Sequence, residues 1–354
     1  VADTFYQILK SNKIPVATIG TLGIKYNNKI IKTNLTSPDT ISLHKNLQYL
    51  KKKKIDNVFI EASSHGLHQK RMHDIKFKAG IFTNFSQDHL DYHKTMKSYL
   101  GAKLLLFKEI LGKNTTIITD KNIQPFTKLC SIANKKNLKV IDISKQLEKI
   151  KMITKYSSNS YKVKNLAMAY QAAKMCGIKD KFIFQSLKKI KDVNGRLELV
   201  KKFKNNIKVF IDYAHTPDAL LQTLKSLKQD FGDNITLVFG CGGERDKKKR
   251  PLMAKIADIN CKKIYITDDN PRSESPLKIR IQLLKYISKN KVFNIGKREL
   301  AIKKAIQNAE PGEIILVAGK GHEDKQIYKN KILNICLLYT SPSPRDAHES
   351  RMPS

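Results

Sequence analysis

Long apolar runs are missing from this chain. No stretch approaches the ~18 consecutive apolar residues that a membrane span needs. The opening VADTFYQILKSNK lacks the basic-then-apolar layout of a secretory signal. No membrane partner is expected, and a cytoplasmic location is. Cysteine is sparse too: the 5 residues Cys130, Cys176, Cys241, Cys261 and Cys336 are scattered, with no C-x-x-C pair among them. An odd, unclustered set argues for reduced thiols and against a disulfide frame or a zinc site. Acidic residues are scarce beside basic ones, 31 against 67, giving a formal charge of +36. A field of that size attracts nucleic acid, anionic lipid or phosphorylated substrates. The lysines, however, are spread along the chain among Ile and Asn. Runs such as Lys51–Lys54 look like solvated helix ends, and no aromatics interleave with them as base-stacking platforms would. Biased lysine use over a solvated surface is the preferred reading, and no nucleic-acid partner is expected.

At 354 residues, 41% hydrophobic and 28% charged, the chain can bury a sizeable core, and two domains are expected. Its ends differ from the rest. Phe5, Ile8 and Leu9 form the apolar face of a helix with no capping residue before it, which suggests a missing upstream part. After Lys331 lysine disappears, and CLLYTSPSPRDAHESRMPS carries no period. Residues 336–354 are read as a non-native or disordered tail without function.

Between the ends, β-branched runs alternate with helical patterns. VATIG, NVFIE, AGIFTNF, TTIITD and KVIDI, then KVFIDY, ITLVFG, KIYITD and EIILVAG, read as buried strands. Helices are expected at Ser98–Leu111, Leu166–Cys176 and Asp218–Lys228. Continuous apolar strands separated by helices indicate an α/β fold, with parallel sheets covered on both faces. A domain boundary is expected near KDVNGRLELV, where Asn194-Gly195 signals a turn. Six of the strands run directly into loops loaded with Gly, His, Asp, Glu and Arg: ASSHGLHQKR, SQDHLDYH, YAHTPDA, CGGERDKKKRP, DDNPRSE and KGHEDKQ. Parallel sheets bind ligands at this edge, so an enzyme is expected rather than a scaffold.

In TMKSYLGAKLLLFKEIL, apolar residues recur at Met96, Leu100, Leu104, Phe107 and Leu111, and Lys103 points toward the same face. A buried ammonium is costly unless paired or altered. Two readings stay open: a lysine snorkelling at the stripe's edge, or one reaching a metal site where modification turns its charge negative. Glu61 ends one strand and His89 follows the next, where phosphate chemistry would need magnesium. DHLDYH could equally be a polar loop.

Together GTLG, EASSHGL, SQDHLDYH, GAKLLLF, NGRLE, DYAHTPDAL, GCGGERDKKKRPLM, TDDNPRSE and VAGKGHED resemble, in order, the motifs of the Mur ligase family, over almost the whole of residues 1–335. The resemblance implies a central P-loop-NTPase-like parallel-sheet domain, here 1–195, and a Rossmann-like C-terminal domain, here 196–335. It also implies a monomeric, ATP- and Mg²⁺-dependent ligase that acts through an acyl phosphate. Within the family, DNPR resembles the members that add meso-diaminopimelate to UDP-N-acetylmuramoyl-L-alanyl-D-glutamate. By resemblance Lys103 is a carbamylated lysine (N6-carboxylysine) holding Mg²⁺ with Glu61 and His89. Thr36, Ser37, Ser63, Gln69 and Arg71 match contacts to the muramoyl peptide, and Arg196, Asp212 and His215 match nucleotide contacts. Arg245, Asp269, Asn270, Arg272, Gly319 and Glu323 match the diaminopimelate pocket. There Arg272 would fork onto the distal carboxylate, as a lysine side chain could not, and Glu323 would answer the distal ammonium. The family's glycine-rich phosphate loop should lie just before Val1, so the chain as written is expected to be an incomplete, inactive copy. The rivals are a lysine-adding Mur ligase, a folylpolyglutamate synthase-like ligase and, from another class, a basic nucleic-acid-binding protein.

Overall fold

The computed structural model describes residues 1–154 and 160–335, so the tail expected at 336–354 lies outside the described residues. The chain forms two compact units: Val1–Phe85 with His93–Lys191, and Ser86–Tyr92 with the chain from Asp192 onward. Among the described residues no helix is long and apolar enough to cross a membrane.

The first unit has two sheets. One orders as β3 (Lys29–Ile31), β2 (Gly23–Tyr26), β1 (Val16–Gly20) and β4 (Asn57–Ile60); the other as β5 (Ala79–Phe82), β6 (Thr116–Thr119) and β7 (Lys139–Asp142). β1 and β4 are parallel, as are the pairs within β5–β7. Successive residues enter different cores: Ile117 packs in a cluster with Phe107 and Leu129, Ile118 in one with Ile8 and Leu166. The two-residue period sends neighbours to opposite faces, and burial on both faces explains the unbroken apolar runs.

The second unit carries a six-stranded sheet, in the order β12 (Val292–Asn294), β11 (Lys263–Ile266), β10 (Ile235–Phe239), β13 (Ile314–Ala318), β9 (Lys208–Asp212) and β8 (Glu198–Lys202). Leu237, Leu316, Phe210 and Ile264 pack on one face, Val238, Val317, Ile211 and Tyr265 on the other. Pairing of Ala318 with Asp212 and of Phe239 with Ile266 sets the carboxyl ends nearly level. The loops opened by Tyr213, Gly240, Thr267 and Gly319 therefore leave from one edge.

Two features were not expected from the sequence. The sheets are not purely parallel: β2 and β3 extend the first antiparallel, β8 pairs antiparallel with β9, and β14 (Lys325–Tyr328) and β15 (Lys331–Asn334) form a hairpin. β3, β8, β14 and β15 are exposed or half-buried along most of their length and lack the apolar signature of the interior strands, whereas β2 buries Ile24 and Tyr26. The helix expected at Ser98–Leu111 is α-helical from Met96 to Leu105 and then widens into a π-helix at Leu106–Ile110. That wider turn still buries Phe107 and Leu111 of the predicted stripe.

Candidate active site

On the first unit, Glu61 extends the pairing of β4 with β1, its N–H donating to the Ile19 carbonyl at 2.8 Å. Glu61 Oε2 accepts the Thr21 N–H and the Thr21 hydroxyl, both at 2.7 Å. A Cβ on Gly20 would stand 2.5 Å from that oxygen, so only glycine lets the carboxylate in. Oε1 takes no hydrogen bond among the described residues. A carboxylate with one oxygen anchored and one open suits a hard cation.

Ser37, 1% exposed, donates to the Glu61 carbonyl at 2.8 Å and accepts the Ser63 N–H at 2.9 Å. Ser63 caps the short helix Ser64–His68 through the Gly66 N–H. Arg71 donates to the Ser37 carbonyl at 2.7 Å and to Gln69 Oε1. Thr36 Oγ1 lies 3.2 Å from Thr21 Oγ1. The five residues expected to meet the muramoyl peptide thus converge beside Glu61, with Ser37 occupied in shaping the loop.

Lys103 stands at the border of the buried stripe, not inside it. Its amine lies 3.5 Å from the Tyr99 hydroxyl, 5.2 Å from the Tyr99 ring centroid and 5.5 Å from that of Phe82. The π-helix begins three residues later, a feature frequent at functional sites. His93 went unnoticed in the sequence, although it closes DHLDYH. It is buried, with Nε2 3.0 Å from Ser64 Oγ and the rings of His65, His68 and Tyr99 around it. Among the described residues no three His, Cys, Asp or Glu side chains are arranged to hold a metal ion. A hard divalent cation that takes one or two carboxylates and completes its shell with water or phosphate oxygens needs no closed cage, and the open oxygen of Glu61 fits it.

In the second unit, Ser86–Tyr92 carries His89 with φ at 56°, in the left-handed region. Asp88 gathers two imidazoles, with His89 Nε2 and His215 Nε2 each 3.4 Å from its Oδ2. Burial pushes the Asp88 carboxyl up, but the His215 hydrogen bond and the charges of His215, His89 and Lys249 outweigh it and hold the group below the usual carboxylate range. His215 Nδ1 donates to the Tyr213 carbonyl at 2.8 Å, which fixes the ring.

Asp212 ends β9, buried, accepting the Leu197 N–H at 2.6 Å and the Ala214 N–H at 2.8 Å. Burial raises its pKa against the pull of Arg196. Its carboxylate presents no oxygen without a donor, so it ties the NGRLE turn to the sheet edge. Arg196 lies over the Tyr213 ring, 4.2 Å from the centroid, and one of its terminal nitrogens is buried without an acceptor. Such an orphan cationic donor suits a phosphate oxygen.

The DNPR loop leaves β11, next to β10 in the sheet, and touches the loops that follow β10 and β13. Arg272 adopts φ 53°, and its N–H joins the Ile327 carbonyl at 3.0 Å. One guanidinium nitrogen donates to the Gly243 carbonyl at 2.7 Å and the Asn270 carbonyl at 3.3 Å. The other two have no acceptor, and no carboxylate pairs with Arg272 among the described residues. Burial, and then the neighbouring Arg245 charge, lower the Arg272 pKa, so the site favours an anion. Arg245 is half exposed and reaches Asp91 at 3.4 Å. Asn270 Nδ2 faces Glu323 at 3.4 Å, and Gly319 turns with φ 107° where a Cβ would come within 3.0 Å of Asp269. All six residues expected at the diaminopimelate pocket thus belong to this loop cluster. The sequence reading missed the buried cations behind them: Lys320, Arg298 and Arg250. In a chain with 67 basic residues nothing local sets them apart.

The Mur ligase middle domain matches residues 1–181, and the Mur ligase glutamate ligase domain matches residues 195–321. The chain belongs to the Mur ligase family. Among its relatives is the UDP-N-acetylmuramoyl-L-alanyl-D-glutamate--2,6-diaminopimelate ligase of Wigglesworthia glossinidia brevipalpis, 39% identical over 89% of this chain and 68% of that protein. The protein of the same name from Rickettsia montanensis is 38% identical over 90% of this chain and 71% of its own length. A solved structure of a ligase of that name covers 99% of this chain and 75% of that one, with a TM-score of 0.60 and 26% identity. A Yersinia pestis bifunctional folylpolyglutamate synthase/dihydrofolate synthase, complexed with AMPPNP and a Mn ion, superposes with a TM-score of 0.68 over 89% of this chain and 82% of its own. At 14% identity that likeness speaks for the fold alone.

Proposed function

We propose that this chain is an ATP-dependent amide-bond ligase that joins meso-2,6-diaminopimelate to UDP-N-acetylmuramoyl-L-alanyl-D-glutamate, acting as a cytoplasmic monomer. The observation that carries this reading is Arg272: a half-buried guanidinium with two nitrogens open, beside the Asn270–Glu323 pair. That combination accepts a carboxylate and an ammonium on one carbon, as the far end of diaminopimelate offers. Lysine would leave the fork desolvated and unanswered.

In the reaction, an oxygen of the D-glutamate carboxylate attacks the γ-phosphorus of ATP, and ADP leaves. The diaminopimelate amine then attacks the acyl carbon of the acyl phosphate, loses a proton and expels inorganic phosphate. Little covalent chemistry falls to the protein, so positioning and charge carry the rate. Glu61, His89 and a carboxylated Lys103 are assigned to Mg²⁺, which when bound would neutralise charge on the transferring phosphoryl group. Arg196, with its orphan donor, and His215 are assigned to the nucleotide, while Asp212 holds the turn that presents Arg196. Thr36, Ser63, Gln69 and Arg71 are assigned to the muramoyl peptide, with Ser37 keeping their loop in shape. Arg245, Asp269, Asn270 and Gly319 complete the acceptor pocket with Arg272 and Glu323.

The test is phosphate release by the full gene product. Release should require ATP, the muramoyl dipeptide and diaminopimelate together, and the product's mass should equal dipeptide plus diaminopimelate less water. Release that ignores diaminopimelate would sink the proposal.

A further inference from the structure

Lys320 follows Gly319 at the end of β13, and its side chain is 0% exposed. Nothing in the reaction above uses its amine. An ammonium has three donors and no acceptor, and here each donor is met. Asn270 Oδ1 lies at 2.5 Å, the Lys325 carbonyl at 2.7 Å and Glu323 Oε2 at 3.3 Å, with the Asp269 carboxylate at 4.0 Å. Burial lowers the Lys320 pKa, and the charges of Asp269 and Glu323 oppose that shift.

Asn270 Oδ1 also accepts the Ile327 N–H at 2.9 Å. Two donors on that one atom fix the amide, because a flipped Asn270 would set its NH₂ against an ammonium and an N–H. The Asn270 NH₂ is thereby turned out toward Glu323, whose Oε2 Lys320 also holds.

We infer that Lys320 is a specificity-positioning residue: it locks the Asn270 amide with its donor facing the ligand and pins Glu323 as the acceptor beside it. The pair is then preset for a ligand bearing a carboxylate and an ammonium on the same carbon. This rests on the proposed acceptor pocket, and it names what sets the pocket's polarity.

The test uses the full gene product, wild type against Lys320→Met and Asn270→Asp, with KM for diaminopimelate, KM for ATP, kcat and Tm measured for each. Lys320→Met should raise the diaminopimelate KM by about tenfold or more and narrow the preference over lysine, with the ATP KM within about twofold. A folded Lys320→Met with unchanged diaminopimelate KM overturns the inference. Asn270→Asp covers the case in which Lys320→Met does not fold. An Asp there keeps an oxygen for Lys320 and Ile327 but turns a second carboxylate oxygen toward Glu323, so Tm should fall while the diaminopimelate KM rises. A Tm that holds or rises would mean that the amide sits the other way round, with its oxygen already facing Glu323, and overturns the inference. If the wild type ignores diaminopimelate, the functional reading has failed, and the Asn270→Asp melting curve still decides the Lys320–Asn270 contact.

Discussion

Replacing Arg272 removes a cation whose fork is only partly used at rest. One guanidinium nitrogen holds the Gly243 and Asn270 carbonyls at 2.7 and 3.3 Å, leaving two nitrogens for a ligand carboxylate. A charge-assisted hydrogen bond is worth about 1.5–3 kcal/mol. Two of them, less the cost of desolvating both partners, come to about 3–4 kcal/mol. At about 1.4 kcal/mol per tenfold, Arg272→Met should lower kcat/KM for diaminopimelate by roughly 10²–10³. Arg272→Lys keeps the charge but gives up the planar fork, and should lose roughly tenfold. The ATP KM should stay near the wild-type value in both. The left-handed φ of 53° supplies a control: Arg272→Gly gives up the same two carbonyl bonds as Arg272→Met but suits that backbone better, so it should melt no lower than Arg272→Met while losing as much activity. The assay is initial-rate phosphate release with diaminopimelate varied at saturating ATP and dipeptide. If Arg272→Met keeps its diaminopimelate KM, the guanidinium does not read the distal carboxylate.

Other outcomes follow from the same geometry. A Cβ on Gly243 would stand 1.9 Å from the Pro271 carbonyl, so Gly243→Ala should cost about 3 kcal/mol in denaturant unfolding and separate the two loops; an unchanged midpoint would contradict this packing. Lys103→Ala, at the border of the core, should leave Tm nearly unchanged while cutting turnover by about a hundredfold or more. Burial alone would raise the Glu274 pKa, but the Arg250 hydrogen bonds and the Glu244 N–H outweigh it and hold the group below the usual Glu range. A depressed carboxylate contributes stability that is complete above its unfolded pKa and lost as pH falls toward its folded one. Acid titration of stability below about pH 4–5 should therefore be shallower in Glu274→Gln than in wild type.

How much was legible depended on whether burial writes a pattern. KVFID, ITLVF, KIYI and IILVA announced themselves because alternate residues enter cores on opposite faces, which forces apolar side chains at consecutive positions. β3, β14 and β15 carried no such signal: Lys29–Ile31 is exposed throughout, and the hairpin strands set two apolar residues each among Lys, Gln and Asn. The site was legible where chemistry interrupts a strand end, as at Glu61, Asp212 and Asp269. The candidate site was illegible where a common residue is set apart only by its burial. Lys320 and Arg250 look in sequence like any of the 67 basic residues, and only enclosure by Asn270, Glu274 and backbone carbonyls separates them. Asp88 was likewise passed over beside His89, because its pairing with His215 spans more than a hundred residues of chain.

Whether the loop cluster of the second unit selects an amino acid with a zwitterionic far end comes down to one ratio. Wild-type gene product is given diaminopimelate and L-lysine in competition, and the two amide products are counted by mass. At least about a hundredfold preference for diaminopimelate is expected. Equal incorporation, or an excess of the lysine product, would contradict it.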